Sequence, residues 1–561
     1  MPGTDHYTAH VIARSAAAHG VRHVVISPGS RSAPLVRAFH DQPGIACHVV
    51  IDERSAGFIA LGMADRSGTP VALICTSGSA VLNHAPAVAE AFYRRIPLLV
   101  LSADRPEEWV DQGEGQTIRQ RGALSAHVRY EGQLPRSVQD DLAQHHADRL
   151  VQEALEACTG MPNGPVHLNV PFTEPLYGAS PGALPEPYQR VPTLVERLLP
   201  EEVLTNMLTE AAACERVLVL AGQGAPEPSL LDALVRLAQL PQVVVLSEAT
   251  SNLDHPDLHG CIDRTLPGVD PEVARPDLLI TFGGDVVSKR IKERLREWRP
   301  DRHWHLDPAG EPRDTYQCLT RTVAVAPTYF LTWLAGSLDP VASGYGDAWR
   351  SWGASTTSRH EQLLADAPFC DLVVFQALME RLKPGMEVHL ANSTPVRYAQ
   401  LFDRPQEVRW HANRGTSGID GCTSTALGSA FIAERPTLLI TGDVAFLYDS
   451  NAFWNGLATP GSKVVVIDNG GGNIFRYIPG PDRDKDLLPY FETPHGRDPL
   501  ALAGHYGLAT YEAFDRTSLQ QGLEQLFRDH DRPAVLVVRT DPGVSPRVLR
   551  AYFEGLAGDR G

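Results

Sequence analysis

Asp443 and Asn469 are the two residues whose types and placement say most about chemistry. Each closes a short apolar run, TLLITGD (437–443) and KVVVIDN (463–469). A carboxylate, an amide oxygen and the backbone carbonyls of Gly470-Gly471-Gly472 suit a hard dication such as Mg²⁺, which commonly binds a phosphate as well. The two runs are rich in Val, Ile and Leu and too short for helices, so they read as buried parallel strands. FLYDSNAFWNGLATPG (446–461) can supply the crossover helix between them. Such a unit brings both oxygens to the carboxyl edge of one sheet, where open α/β folds bind ligands. Taken alone, the pair also fits the turn and cap duties that Asp and Asn perform after strands.

Other groups extend the pattern. Glu53 stands at the start of IDERSAGFIALGMA (51–64), either as a carboxylate favoured by a helix dipole or as a part-buried acid sharing a proton with a heterocyclic nitrogen. Ser30 and Arg31 follow a strand in ISPGSRSAP (26–34), Arg105 lies in SADRPEE (102–108), and GEGQTIRQ (113–120) comes next. Later, NSTPVR (392–397) and HANRGTSGIDG (411–421) carry Ser393, Arg397 and Arg414. Arginine suits bidentate recognition of carboxylates. Its recurrence at strand ends in two blocks points to a substrate site that holds several carboxylates.

The elements that must position these groups fall into three blocks of alternating strand-like and helix-like segments. The first holds runs at 23–27, 48–51, 70–76, 97–103 and 165–171, and the second at 216–222, 242–248, 277–283 and 302–308. The third holds runs at 386–393, 407–413, 437–443, 463–469 and 534–540. Strands spaced by helical stretches predict parallel sheets covered on both faces. Two stretches rich in Pro, Gly and Ser read as the linkers between blocks, one at 178–192 and the other contained within 336–355. The fold class expected is therefore α/β, with three parallel-sheet domains in tandem.

Composition sets outer limits. The 561 residues suffice for about three or four domains. A formal net charge of −17 argues against nucleic acid or an anionic membrane as partner. Eight scattered cysteines with no CxxC indicate neither a zinc site nor a thioredoxin-like motif and fit a reducing cytoplasm. No signal peptide is visible and no run is long enough to span a bilayer, so a soluble cytoplasmic protein is expected. There is no GxxxxGK[ST]. His360-Glu361 lacks the second histidine of an HExxH, and Gly222-Gln223-Gly224 reads as a tight turn because Glu227 occupies the place of a third glycine.

ISPGSRSAPL, DERSAGFIALGMA, TSGSAVLNHAPAVAEAF, SADRP, NRGTSGIDG, GDVAFLYDSNAF and DNGGGNIF together resemble the thiamine-diphosphate enzymes. The order of SPGSRS, NRGxSGIDG and GDxxFLYDxN resembles a narrower group of these that builds menaquinone precursors. The resemblance runs from about Ser27 to Phe475 and is thinner in the middle block, where FGGDVVSKR (282–290) carries it. It implies a pyrimidine-binding domain over 1–180, a central domain over 193–336 and a diphosphate-binding domain over 356–561. The implied reaction is decarboxylation of 2-oxoglutarate on thiamine diphosphate, then 1,4-addition of the succinyl carbanion equivalent to isochorismate, a transferase activity. Glu53 would hydrogen-bond the aminopyrimidine ring. Asp443, Asn469 and the Gly471 carbonyl would hold Mg²⁺ (or Mn²⁺) against the diphosphate, and Ile419 would wedge the cofactor into its bent shape. Ser30, Arg31, Arg105, Gln116, Lys289, Ser393, Arg397 and Arg414 would line the substrate pocket, with Ser393 also on the cofactor and Phe475 among the apolar walls. The resemblance further implies active sites shared between subunits, in a homodimer or a dimer of dimers.

The sequence departs from the general pattern at three points. Gly442-Asp443-Val444 stands for the wider family's GDG, Asp468-Asn469 for a double asparagine, and Gly115 for an asparagine before Gln116. Two other readings compete. One is a different thiamine-diphosphate carboligase or decarboxylase, such as an acetolactate synthase relative; the other is a non-catalytic regulator. The arginines weigh against the first, and the presence of Glu53, Asp443 and Asn469 weighs against the second.

Overall fold

The computed structural model describes residues 6–138, 140–177, 196–477, 480–481, 484 and 486–558. The linker expected at 178–192 lies outside the described residues. The others form three sheets whose neighbouring strands pair in parallel, as expected for the α/β class. The first sheet contains β1 (His23–Ile26), β2 (Ala46–Val49), β3 (Val71–Cys75), β4 (Leu98–Asp104), β5 (Tyr130–Gln133) and β6 (Val166–Pro171), ordered β2-β1-β3-β4-β6-β5. The second contains β7 (Val217–Ala221), β8 (Val243–Ser247), β9 (Leu278–Phe282), β10 (Arg302–Leu306) and β11 (Arg321–Val323), ordered β11-β10-β9-β7-β8. The third contains β12 (Glu387–Leu390), β13 (Arg409–His411), β14 (Thr437–Gly442), β15 (Ser462–Asp468), β16 (Ala509–Ala513) and β17 (Ala534–Arg539). Its order, β13-β12-β14-β15-β17-β16, repeats the topology of the first sheet.

The apolar runs form strands because they can bury both faces. Val24, Ile26, Ala72, Ile74, Leu99 and Leu101 belong to one core, and the alternating Val25, Leu73, Cys75, Leu98 and Val100 to another on the opposite face. In the second sheet Val217 and Val219 face one core and Leu218 and Leu220 the other. Each such side chain, wholly withdrawn from water, contributes roughly 1.5–3 kcal/mol.

The chain divides into two compact units. One is Met1–Thr193 with Gly415–Arg435 and Leu447–Ser462; the other is Leu194–Arg414 with Pro436–Phe446 and Lys463–Gly561. The first unit thus holds the first sheet together with the helix Cys422–Ala433, which packs on the helix Glu53–Ser67 at unusually close range. A Cβ on Gly62 would lie 2.1 Å from the Thr425 carbonyl oxygen, and one on Gly428 2.2 Å from that of Ile59. Only glycine permits this approach of the two backbones.

One reading is narrowed and one corrected. The linker read within 336–355 is confined to 338–344, because a helix runs from Tyr345 to Ala365. Tyr345 and Trp349 are buried, and the Tyr345 hydroxyl donates to the Ala274 carbonyl at 3.0 Å. Burying two large aromatic rings outweighs the roughly 1 kcal/mol that a glycine such as Gly346 costs a helix. The crossover between β14 and β15 is likewise no single helix but a short one, Asp443–Tyr448, followed by a 3₁₀ turn at Ser450–Phe453. At the middle sheet's Gly222–Gly224 turn the N–H groups bond to the Phe282, Asp285 and Thr250 carbonyls, so neighbouring segments already satisfy them.

Candidate active site

In the second unit, Asp443 begins its helix directly after β14, and Asn469 comes directly after the neighbouring β15. Asp443 is 2% exposed. Its Oδ1 accepts the Val444 N–H at 2.7 Å, and its Oδ2 lies 3.2 Å from His495 Nε2. Burial, with the nearby Asp468 charge adding to it, pushes the Asp443 carboxyl up to about 6, against the opposing Val444 N–H and His495. Donor atoms of Asp443, Asp468 and His495 all lie within 4.8 Å of one another. Asn469 is also buried, and its Nδ2 donates to Asp371 Oδ2 at 3.2 Å. That bond turns the amide oxygen away from Asp371. Gly471, at φ +156°, passes so close to the neighbouring chain that a Cβ would lie 2.5 Å from the Glu492 carbonyl oxygen. Carboxylate and amide oxygens at adjacent strand ends are the donor set of a hard dication, and the crowding of Asp443 by Asp468 is relieved by one. The residues fit the metal expected there.

The same unit contains a cavity of about 360 Å³. Lys289, Arg290 and Arg397 line it, with Asp263, Glu293, Thr394, the Tyr398–Tyr477 hydroxyl pair (2.7 Å apart), and the apolar Leu401, Ile474, Leu549 and Phe553. Lys289 is 3.5 Å from Glu293, and the Arg290 guanidinium stacks over the Phe553 ring at 3.8 Å. Arg397 donates to the carbonyl of Ser393, a residue held at φ +78°. Burial, then the Arg414 cation, hold the Arg397 guanidinium below its ordinary value, with Asp263 and Asp285 opposing. Three cations, partly offset by the Asp263 and Glu293 carboxylates, and an apolar wall suit an anion with a hydrocarbon frame.

Arg414 and Phe475 do not line this cavity. The Arg414 guanidinium is buried against Asp285, with bonds of 2.7 and 3.1 Å, and donates to Asn392 Oδ1 at 2.9 Å. Phe475 packs on Phe491 with ring centroids 5.5 Å apart, while its neighbour Ile474 faces the cavity. Arg290 was within reach of the sequence, since it closes the FGGDVVSKR motif. His495 and Asp371 were not, because each meets its partner only through the fold.

In the first unit, Glu53 is the first residue of its helix. Asp52 caps that helix, accepting the Arg54 and Ser55 N–H groups at 2.9 and 3.3 Å and the Asn451 amide at 2.6 Å. The Glu53 carbonyl accepts from His84 Nδ1 at 2.9 Å. Its carboxyl is bonded only by its own N–H among the described residues, and burial raises its pKa. A carboxyl in such a setting is able to share a proton with a ligand nitrogen. Ser30 and Arg31 sit on a 3₁₀ turn after β1. Arg31 is buried and donates to the Phe172 carbonyl at 3.0 Å and to Glu174 at 3.3 Å. Burial, then the Arg105 cation, lower its pKa, so these two guanidiniums are near neighbours. Arg105 donates to the Gly115 carbonyl at 3.3 Å, next to Gln116, which is exposed at φ +54°. Ile419 is half-buried, in a loop anchored by Glu90, which accepts the Gly415 and Thr416 N–H groups at 2.9 and 2.6 Å.

Comparison with known proteins gives two family matches, one towards each end of the chain. Residues 6–123 match the family described as thiamine pyrophosphate enzyme, N-terminal TPP binding domain, and residues 393–538 match its C-terminal TPP binding domain. A protein of Porphyromonas gingivalis named 2-succinyl-5-enolpyruvyl-6-hydroxy-3-cyclohexene-1-carboxylate synthase is 40% identical, over 96% of this chain and 95% of its own length. Proteins of the same name from Flavobacterium johnsoniae and Bacteroides fragilis are 38% and 34% identical, covering 98% and 96% of this chain and 98% and 97% of their own.

Proposed function

Because the chain belongs to the thiamine pyrophosphate enzymes, and among them to the 2-succinyl-5-enolpyruvyl-6-hydroxy-3-cyclohexene-1-carboxylate synthases, we propose that its residues divide the labour of that transferase between cofactor, metal and substrate. Bound thiamine diphosphate, with its divalent metal, supplies the electron sink that decarboxylation of 2-oxoglutarate requires. Asp443, Asn469 and the Gly471 carbonyl would hold Mg²⁺ or Mn²⁺, as their oxygen donors suit. Glu53 would share its proton with the aminopyrimidine nitrogen, a role supported by its raised pKa and by a carboxyl bonded, among the described residues, only by its own N–H. Ile419 would press on the cofactor from its anchored loop. Arg31 and Arg105, with Ser30 and Gln116, would take carboxylates of the substrates in the first unit. In the second, Lys289, Arg290 and Arg397 would hold those of isochorismate and 2-oxoglutarate in turn, beside Ser393. Holding both reactants in line is worth ~7–11 kcal/mol of barrier. Arg414, tied to Asp285 and Asn392, would act by fixing the loop it begins, and Phe475 by supporting the apolar wall.

The observation that carries the substrate assignment is the three-cation cavity, which an acetolactate synthase relative acting on small 2-oxo acids would not need. The domain limits 1–180, 193–336 and 356–561 and a homodimer or dimer of dimers with shared sites complete the proposal. The first and third sheets' common topology supports the paired pyrimidine-binding and diphosphate-binding roles. No described helix is long and apolar enough to cross a membrane, and all eight cysteines are free thiols, which supports a cytoplasmic setting. The test is consumption of 2-oxoglutarate and isochorismate by purified protein with cofactor and Mg²⁺, each component omitted in turn. Matched loss of both substrates is expected. Loss of the 2-oxo acid without isochorismate would make the protein a general decarboxylase.

A further inference from the structure

Glu248, immediately after β8 of the middle sheet, is 1% exposed and makes no ion pair among the described residues. Its carboxylate instead accepts two backbone N–H groups, Val287 at 2.5 Å and Ser288 at 2.6 Å. Those groups open the helix Lys289–Trp298, whose N-cap Ser288 accepts the Ile291 N–H at 3.1 Å and donates to Asp263 on the cavity wall. Burial pushes Glu248 up to about 7 against the pull of the two N–H donors, and Asp263 and Asp285 add to the rise. An acid held this way is costly to bury and serves no partner cation.

The two residues after Ser288 give the buried acid a purpose. Lys289 and Arg290 occupy the first two positions of that helix, where the positive end of the helix dipole repels cations, and its first turn contains no acid. A negative charge behind the turn offsets that repulsion and satisfies two N–H groups that would otherwise be buried without acceptors. The middle sheet thereby reaches the cavity through one carboxylate.

We propose that Glu248 is the positioning residue for the cationic wall of the cavity, fixing the 287–290 turn so that Lys289 and Arg290 face Arg397 across an anionic substrate that Glu248 itself never touches. The inference rests on reading this cavity as a substrate site. Its test uses the full-length holoenzyme with thiamine diphosphate and Mg²⁺, varying 2-oxoglutarate and isochorismate separately. In Glu248→Gln one of the two N–H groups loses its acceptor and the charge is gone. The KM of the substrate bound there should rise about 10–100-fold, the worth of a charge-assisted bond, while kcat falls much less. Thiamine diphosphate affinity should stay at the parent value, and Glu248→Asp should recover part of the loss.

The discriminating step is a double-mutant cycle with Lys289→Ala/Arg290→Ala. In that background Glu248→Gln should add less than about 2-fold to KM, because its effect travels through the two residues already removed. Equal effects in both backgrounds, or an unchanged KM in Glu248→Gln beside a raised one in the Lys289/Arg290 variant, would overturn the proposal. Parent-like KM values in the Lys289/Arg290 variant would overturn the substrate reading of the cavity instead. Should Glu248→Gln not fold, Ser288→Ala loosens the same turn without touching the buried charge. It should raise the same KM by a smaller factor, and an unchanged KM in it would again count against the proposal.

Discussion

Exchanging Asp371 for asparagine should cost metal affinity without costing the fold. Asp371 is buried at the start of the helix Asp371–Met379. Its Oδ1 accepts the hydroxyls of Thr540 (2.6 Å) and Ser545 (2.9 Å), and its Oδ2 accepts the Asn469 amide at 3.2 Å. A carboxylate only accepts, so Asn469 must present its NH₂ group to Asp371 and its oxygen to the other side. In Asp371→Asn the two hydroxyls retain the oxygen of the new amide, which leaves that amide's NH₂ where Oδ2 had been. Two donors then face each other. Asn469 relieves the clash by turning over, and its NH₂, which cannot bind a cation, replaces the oxygen proposed to hold the metal. Loss of an outer-shell partner of this kind typically weakens metal binding 10–100-fold. Mn²⁺ titration followed by electron paramagnetic resonance, with thiamine diphosphate present, reads this directly. Melting of the apo protein should hold or rise, since a buried acid has been removed. An Mn²⁺ affinity within about twofold of the parent, under conditions where Asp443→Ala abolishes binding, would refute the account of Asn469 as an oriented ligand.

Three further perturbations separate chemistry from scaffold. Glu53→Gln should keep cofactor binding and melting temperature but lower turnover by ~10²–10⁴, measured as 2-oxoglutarate consumption. Gly428→Val should lower the melting temperature by the equivalent of roughly 1–3 kcal/mol or more, because the added carbons meet the Ile59 backbone rather than a movable side chain; an unchanged melting curve would disprove the close helix contact. Asp449, buried and accepting the Ser424 N–H (2.6 Å) and hydroxyl (2.7 Å), is pushed up to about 7 by burial. Its folded pKa exceeds the unfolded value of about 3.9, so its contribution to stability is full below that value and is lost as pH rises toward 7. The melting temperature of Asp449→Asn relative to the parent should therefore climb between pH 5 and pH 8, and a flat difference would contradict the assignment.

Much of this architecture is legible in one sequence because parallel sheets bury both faces. TLLITG, KVVVID and AVLVVR announce central strands by being apolar at every position. The strands that sequence reading passes over are β5 (YEGQ), β11 (RTV) and β16 (ATYEA), each at the edge of its sheet. An edge strand has one neighbour and more solvent, so its composition need not be apolar. The other edge strand of the first sheet, β2, forms two residues earlier than the apolar HVVI suggests, since pairing with β1 sets His23 against Ala46. The helix at Tyr345 hides behind glycine and serine, because what holds it is the burial of Tyr345 and Trp349 against chain far away in sequence.

The site divides along the same physical line. Asp443 and Asn469 directly follow strands and carry a motif, so strand topology alone delivers them to the carboxyl edge, whereas Arg397 comes from the short helix Pro395–Tyr398. Glu248, Asp371 and His495 have no such signal. In sequence Glu248 and Asp371 are polar residues beside apolar runs and His495 is one of several in a polar loop, and each bonds to a partner in another element: Glu248 to Ser288, Asp371 to Asn469, His495 to Asp443. Glu248 and Asp371 are each a buried carboxylate facing N–H or O–H donors instead of a cation, and so is Asp449, which holds only the helix Cys422–Ala433. Burial of that kind works against stability wherever it occurs. What gives Glu248 and Asp371 their proposed roles is the group each one holds, the turn that leads into Lys289 and Arg290 for one and the amide of Asn469 for the other, and only the fold displays that relation.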